Sequence, residues 1–401
     1  MDTGTAYGRP EPGFRAELAC VRPGTPMGEL LRRYWHPVGL SSDATARPRQ
    51  VRVLGEDLIL FRDGLGRPGL LYPRCAHRGT TLYYGRVEER GIRCCYHGWL
   101  YDVNGHCLEQ PCEPGGGRRR ERIRQPWYPV EERYGLIFAY LGPAERKPFL
   151  PRYECLEVLG ADEFIEADDS SIGSGGPAIV PCNWLQHWEN VVDPFHVPVL
   201  HGWFSGPQFV EQMGLMPEVS FETTALGVRV TSVRELPDGT VHRRVTEAAM
   251  PTLRVVPSPR VGRYGRVESV GWVLPIDDTH YRICVAGRVT RNGELAAMRS
   301  RMNNRLWHEL SEEEHRDFPG DYEAQTGQGE ITLHSEEHLG TTDKGIAFLR
   351  RFLERQLRTV AEGGDPAGVA FSEEAAYTVF EAGNYREAPG ARCEGASSTQ
   401  A

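Results

Sequence analysis

The 401 residues predict an α+β fold in two parts. An N-terminal antiparallel β domain comes first, and a larger domain of long antiparallel strands with helices follows. Three observations carry this. Short β-prone runs broken by turn residues occupy Val51 to Leu141. Longer alternating runs, one pair joined by Pro237-Asp238-Gly239, occupy the second half. One strongly amphipathic helix follows them. The length suits two or three domains, and 45 glycines with 29 prolines suit a chain rich in turns.

Met1 to Pro26 is rich in glycine, proline and charge and is expected to be irregular. Met27 to Tyr34 reads as a short amphipathic helix. Leu58 to Phe61, Gly69 to Tyr72 and Gly135 to Tyr140 read as strands. Asn104-Gly105, between Trp99–Val103 and His106–Leu108, signals a two-residue hairpin. Gly142 to Pro151, with three prolines, is the expected boundary, giving domains 27–145 and 146–385. Ser170 to Pro177 is a Gly/Ser loop leading to a Trp- and His-rich stretch, Asn183 to Phe204. Val228–Glu235 and Val241–Glu247 flank the Pro-Asp-Gly turn, and Val267–Leu274 with Tyr281–Val289 form a second pair. Gly345 to Val360 sets Ile346, Leu349, Leu353, Leu357 and Val360 on one stripe. Residues 386–401 are expected to form a flexible tail.

With 46 basic and 55 acidic residues the net charge is −9, which argues against nucleic acid as a partner. No apolar run approaches the roughly 18 residues of a membrane span, and Met1 to Glu17 lacks the layout of a secretory signal. The expectation is a soluble, cytoplasmic protein. Ten cysteines are too few for a disulfide scaffold. Cys20, Cys155, Cys182, Cys284 and Cys393 are scattered and read as buried or idle thiols. The group from Cys75 to Cys112 is different.

Cys75-Ala76-His77 is followed, after sixteen intervening residues, by Cys94-Cys95-Tyr96-His97. Each loop offers one thiolate and one imidazole, and Gly79 and Gly98 let the backbone approach a metal centre. Common zinc fingers pair like ligands in sequence. Mixed loops suit a [2Fe–2S] cluster with two cysteines on one iron and two histidines on the other. Cys75-Ala76-His77-Arg78-Gly79 with Cys94-Cys95-Tyr96-His97-Gly98-Trp99 resembles the Rieske signature. No cysteine follows His77 in its loop, so the disulfide of the cytochrome bc type is unavailable and Cys95 is expected to be a reduced thiol. The resemblance is to the low-potential oxygenase type, near the bottom of a range of about −150 to +300 mV.

An electron carrier would need only the first part of the chain. In the second part, Asp193 and His196 are three apart, whereas His196 and His201 are five apart, about 140° on an ideal helix. Pro198 is expected to bend or end the helix between them, so that both imidazoles converge on one metal. Beside the Rieske motif, this D-x-x-H-x-x-x-x-H pattern resembles the iron motif of Rieske non-haem iron oxygenases, whose site takes two histidines and one carboxylate. Glu337 to Ile346 and the opening Thr25 to Trp35 resemble the phthalate-dioxygenase-like branch.

That resemblance implies a helix-grip, START-like second domain. It implies Asp343 as the third ligand of a mononuclear Fe(II), with Glu337 in reserve; the residue alone would read as a helix N-cap. It also implies a homotrimer in which Asp193 bridges His196 to His97 of a neighbouring chain, with Asn190 near the iron. The implied activity is O2-dependent hydroxylation, or ether cleavage, of a small aromatic substrate by the oxygenase subunit. Electrons come from a separate NADH-dependent reductase carrying flavin and a plant-type iron–sulfur cluster. Arg229, Arg234, Arg243, Arg244 and Arg254 lie where a substrate pocket forms, so an aromatic carboxylic acid is the leading substrate class. Trp203, Phe204 and Phe209 line that pocket or pack the core. A Rieske electron-transfer protein with a non-catalytic second domain is the competing reading.

Overall fold

The computed structural model describes residues 10–388 apart from 119, 206–207, 261–262 and 302–304. Cys393 and most of the expected tail lie outside the described residues. Helices are α1 (Ala16–Ala19), α2 (Pro26–Leu31), α3 (Glu154–Glu157), α4 (Trp184–Val191), α5 (Glu294–Ala297), α6 (Glu312–Asp317), α7 (Asp321–Thr326) and α8 (Lys344–Ala361). The expected helix near residue 27 is α2. Thr25 caps it by accepting the Gly28 N–H at 3.1 Å, and Pro26 takes a first-turn position that needs no donor. The N-terminal stretch is less irregular than expected: α1 forms because Leu18, Ala19 and Val21 are buried.

Before residue 141 the strands are β1 (Trp35–Leu40), β2 (Arg49–Val53), β3 (Glu56–Arg62), β4 (Pro68–Leu71), β5 (Arg86–Glu88), β6 (Gly91–Arg93), β7 (Leu100–Tyr101), β8 (Cys107–Glu109), β9 (Trp127–Tyr128), β10 (Val130–Arg133) and β11 (Leu136–Tyr140). They build antiparallel sheets in the orders β1-β11-β10, β2-β3-β4-β9 and β5-β6-β7-β8. The run Leu58 to Phe61 is apolar throughout because β3 is covered on both faces. Leu58 and Leu60 enter the main core. Ile59 and Phe61 enter a smaller core with Leu71, Cys75, Leu82, Ile92, Cys94, Trp99 and Tyr101. The two predicted loop cysteines are thus wall residues of their own small core.

Beyond β12 (Arg152–Tyr153) come β13 (Phe164–Asp168), β14 (Glu218–Thr223), β15 (Gly227–Glu235), β16 (Val241–Ala249), β17 (Leu253–Val255), β18 (Gly265–Arg266), β19 (Ser269–Pro275), β20 (Tyr281–Val289), β21 (Tyr377–Thr378) and β22 (Gly383–Glu387). Among the described residues, nine of these strands join one sheet ordered β13-β20-β19-β17-β16-β15-β14, with β22 pairing β16 and β18. Strand β22 takes the start of the expected tail: Arg386 and Glu387 pair with His242 and Val241. Helix α8 packs across β14 and β15, burying Leu349, Phe352 and Leu353 while Ile346, Leu357 and Val360 sit at the margin. This is the expected helix-grip arrangement. Helix α4 is buried on nearly every side, started by Asn183, whose carboxamide oxygen accepts the Leu185 N–H at 3.0 Å.

Candidate active site

The two cysteine loops are built alike. Gly79 N–H donates to the Cys75 carbonyl at 2.8 Å and Gly98 N–H to the Cys94 carbonyl at 3.1 Å. The cysteine amides donate in turn to the Thr80 and Trp99 carbonyls, both at 2.9 Å. Gly79 and Gly98 have φ of +78° and +71°, a region costly for any side chain. A Cβ at Gly98 would also meet Pro111 at 2.8 Å. The loops bring like groups together: Cys75 is near enough to Cys94 to help push its thiol up, and the His77 and His97 ring centroids lie 4.4 Å apart.

His77 stacks on Trp99 with centroids 4.4 Å apart, and its buried Nδ1 has no hydrogen-bond partner. Two thiols and two imidazoles on paired loops, one imidazole with an orphaned nitrogen, fit a cluster of two irons. Burial pushes the Cys94 thiol up to about 11, although amides of Tyr96 and His97 point at its sulfur. A bound cation is what would make the thiolate there. The Tyr101 hydroxyl lies 3.2 Å from the Cys75 sulfur. Buried Gln125 accepts the Ala76 N–H at 2.8 Å and donates to the Tyr72 and Arg74 carbonyls at 2.8 and 2.9 Å. Cys95 is a free, exposed thiol, as expected.

In the second half, His196 and His201 do converge, by a route the sequence reading missed. Helix α4 ends at Val191, before Asp193-Pro194. Val197–Phe204 then forms a wide π-helical turn, with Ser205 N–H donating to the Leu200 carbonyl at 3.2 Å. Such i→i+5 winding aligns residues five apart, which α-helical winding would splay. Pro198 causes no break between the histidines. It sits in the first turn of this segment, where its missing donor costs little.

The third member of the group is Asp321, not Asp343. Ligand-capable atoms of His196, His201 and Asp321 all lie within 4.8 Å of one another. Asp321 Oδ1 is 3.5 Å from His196 Nε2 and 3.2 Å from His201 Nε2. Burial alone would raise the Asp321 carboxyl, but the neighbouring His201 and His196 hold it well below the usual carboxylate range. Asp343 instead accepts the Gly340 N–H at 2.6 Å and stands at the N-cap position of α8 without a side-chain bond into that helix. The reserve candidate, Glu337, is also elsewhere: it clasps Arg350 at 2.5 and 2.8 Å, and Arg350 clasps Glu189 at the same distances. Asp321 follows Pro319-Gly320 and opens α7. Its only signal in the sequence is a helix start, which Asp343 shares.

The neighbours of the group fix its orientation. The His201 Nδ1 contacts Gln208 Oε1 at 2.8 Å, leaving Nε2 toward Asp321. Asp193 Oδ2 lies 3.4 Å from His196 Nδ1, so His196 has one carboxylate at each nitrogen. Burial works against charge on His196, but Asp193 and Asp321 outweigh it and raise the imidazole. Asn190 donates to Asp321 Oδ1 at 3.1 Å and lies 3.3 Å from His196 Nε2. The donor set, two imidazoles and a buried carboxylate, fits a divalent iron with open positions.

The group opens on a cavity of about 530 Å³ between the large sheet and the loops. Phe209 lines it, against His201 at 4.3 Å. Trp203 and Phe204, expected in pocket or core, are 66% and 68% exposed on the outer side of the π turn. The five arginines divide. Arg229 pairs with Glu222, Glu247 and Glu381, and Arg243 with Glu387. Arg234, Arg244 and Arg254 line the cavity.

Comparisons with known proteins fit this geometry. Residues 34–128 match the Rieske [2Fe-2S] domain. The chain is 54% identical to the phenoxybenzoate dioxygenase subunit alpha of Ectopseudomonas oleovorans, covering 95% of this chain and 94% of the relative. It is 33% identical to the 5,5'-dehydrodivanillate O-demethylase oxygenase subunit of a Sphingobium species, covering 88% and 82%. Among solved structures, the caffeine-bound QL mutant of NdmA from Pseudomonas putida CBB5 shares the fold, with TM-score 0.60 at 20% identity, over 88% of this chain and 95% of that one.

Proposed function

Because this chain belongs to the Rieske non-haem iron oxygenases, as an oxygenase (alpha) subunit of the phthalate-dioxygenase-like branch, we propose which of its residues do the work and on what substrate. Cys75, Cys94, His77 and His97 hold the [2Fe–2S] cluster. His196, His201 and Asp321 hold the mononuclear iron. Residues 27–145 form the cluster domain and 146–385 the catalytic domain. The single observation that carries this reading is the His196–His201–Asp321 group opening on the cavity.

When bound, the two centres supply electron transfer and activation of O2. The chain's own residues do the rest. Gln208 fixes the tautomer of His201, Asn190 secures the Asp321 carboxylate, and Asp193 holds the Nδ1 end of His196. Asp193 is 29% exposed at its side chain, open to a second contact. In a homotrimer that contact is His97 of a neighbouring copy, which would bring the cluster to the iron.

The substrate is an aromatic carboxylic acid, hydroxylated on the ring or cleaved at an aryl ether. Relatives named for phenoxybenzoate and for O-demethylation support this. Electrons come from a separate NADH-dependent reductase with flavin and a plant-type cluster. The setting is the cytoplasm, and no described helix is long and apolar enough to cross a membrane. The test is metal analysis with single turnover of pre-reduced enzyme on a panel of aromatic acids and aryl ethers. The reading expects three irons and two labile sulfides per chain, with oxygenated product. Two irons and two sulfides, with no product, would favour the electron carrier. Asp321→Ala should lose the third iron alone, and Asp343→Ala should lose none.

A further inference from the structure

Resting on the reading that the cavity takes an aromatic acid, we propose that Arg234 and Arg244 form the subsite that holds the substrate's carboxylate, at the end of the cavity away from the His–His–Asp group. Arg234 is 2% exposed and Arg244 7%. Their polar partners are all neutral. Arg234 Nε donates to the Leu215 carbonyl at 2.9 Å, and its Nη1 is buried without a partner. Arg244 donates to the Ser258 carbonyl and Asn384 Oδ1, both at 3.2 Å, and to the Pro257 carbonyl at 2.6 Å. Among the described residues no carboxylate reaches ion-pair distance of either. Asn384 Oδ1 is also shared with His242, at 3.2 Å.

This is an unusual state for buried guanidinium groups. Arg229, Arg243 and Arg350 each have a carboxylate. An unpaired buried cation is destabilising, and an arriving anion offsets that through short charge-assisted bonds. Burial pushes Arg234 down to about 10, and burial with Arg234 and Arg254 alongside pushes Arg244 down to about 9. Both therefore still carry charge at neutral pH.

The register of the sheet places the subsite. Arg234 stands opposite His242, and Arg244 opposite Ser232. His242, Arg244, Thr246 and Ala248 alternate onto one face of β16. Arg254 on β17 stands opposite Ala248, four positions from Arg244 or about 13 Å along the strand. Arg254 is the one of the three that feels the Asp321 charge. An anion bound there would crowd the Asp321 carboxylate, whereas Arg234 and Arg244 offer positive charge without that repulsion.

The test compares 3-phenoxybenzoate with its neutral carboxamide, by equilibrium binding to the iron-loaded enzyme and to Arg244→Met, Arg234→Met and Arg244→Lys. The wild type should prefer the acid. Each Met variant should weaken acid binding at least tenfold and amide binding less than twofold, and Arg244→Lys should recover part of the loss. A merely structural role would weaken both ligands together, and that result would overturn the proposal. So would an unchanged acid-to-amide ratio in both Met variants, with iron content and thermal midpoint retained. If the wild type neither binds nor oxidises any aromatic acid, the functional reading itself fails; a wild type that does, with variants that keep its discrimination, refutes the subsite alone.

Discussion

Replacing Arg350 with methionine tests how α8 is anchored to α4. Arg350 on α8 holds Glu189 on α4 through two bonds and Glu337 through two more, all between 2.5 and 2.8 Å. Arg350 is 7% exposed and Glu189 8%. Methionine fills much of the stem's volume but leaves two carboxylates facing each other without a cation. Removing one partner of a buried ion pair costs about 3–5 kcal/mol. Unfolding entropy near 2.1 cal/mol/K per residue over 401 residues gives about 0.8 kcal/mol/K. A loss of about 4 kcal/mol then lowers Tm by about 5 °C. The assay is thermal and urea unfolding of iron-loaded protein. The triple variant Glu189→Gln, Arg350→Met, Glu337→Gln should recover most of the loss, because it removes both charges along with the cation. A single variant within about 1 °C of wild type, or a triple variant no better than the single, would refute the argument.

Four further outcomes can be checked. Gln208→Leu removes the acceptor at His201 Nδ1 and should weaken mononuclear iron binding 10–100-fold in a chelator competition, leaving the sulfide content intact; unchanged iron affinity would reject its orienting role. Gln125→Met frees the Ala76 amide between the proposed ligands Cys75 and His77 and should shift the cluster's midpoint potential and g values, where an unmoved potential at full cluster content argues against it. Asp193→Asn should keep all three irons yet slow electron transfer severely, and normal turnover would reject the bridge. Burial pushes the His36 and His242 imidazoles down to about 4. Both are neutral in the fold, so their contribution is complete above the unfolded value of about 6.5 and is lost as pH falls toward 4, at about 1.4 kcal/mol per pH unit each. His36→Gln should flatten that acid slope of the urea-measured stability by one proton; parallel slopes would contradict it.

The cluster loops were legible because everything they need is local: four candidate ligands and two glycines within Cys75 to Gly98. The strands β15, β16 and β20 were legible because alternation and turn residues bound them. Asp321 was not. An acid at a helix start describes both Asp321 and Asp343, and only the packing that brings Asp321 to Asn190 and His201 separates them. The arginines were equally opaque. Arg229 and Arg243 are neutralised by Glu247 and Glu387, which only strand pairing brings near, and Arg234 and Arg244 differ from them by facing the cavity. The tail was misjudged at its start because Arg386 and Glu387 continue β22 along β16, the strand that also carries Asn384, a buried hub for Arg244 and His242, being β22.

The wide turn at Val197–Phe204 makes chain length, more than side-chain identity, the sensitive variable in this stretch. Shortening it by one residue sets the imidazoles four apart, which ordinary α-helical winding keeps on one face. Lengthening it by one swings a ring about 100° away from its mate. Point exchanges at the outward Val199 or Trp203 leave that spacing untouched. One-residue insertions here should be poorly tolerated while a one-residue deletion and outer-face substitutions are permissive, and an insertion and deletion scan read out by bound iron would show that contrast.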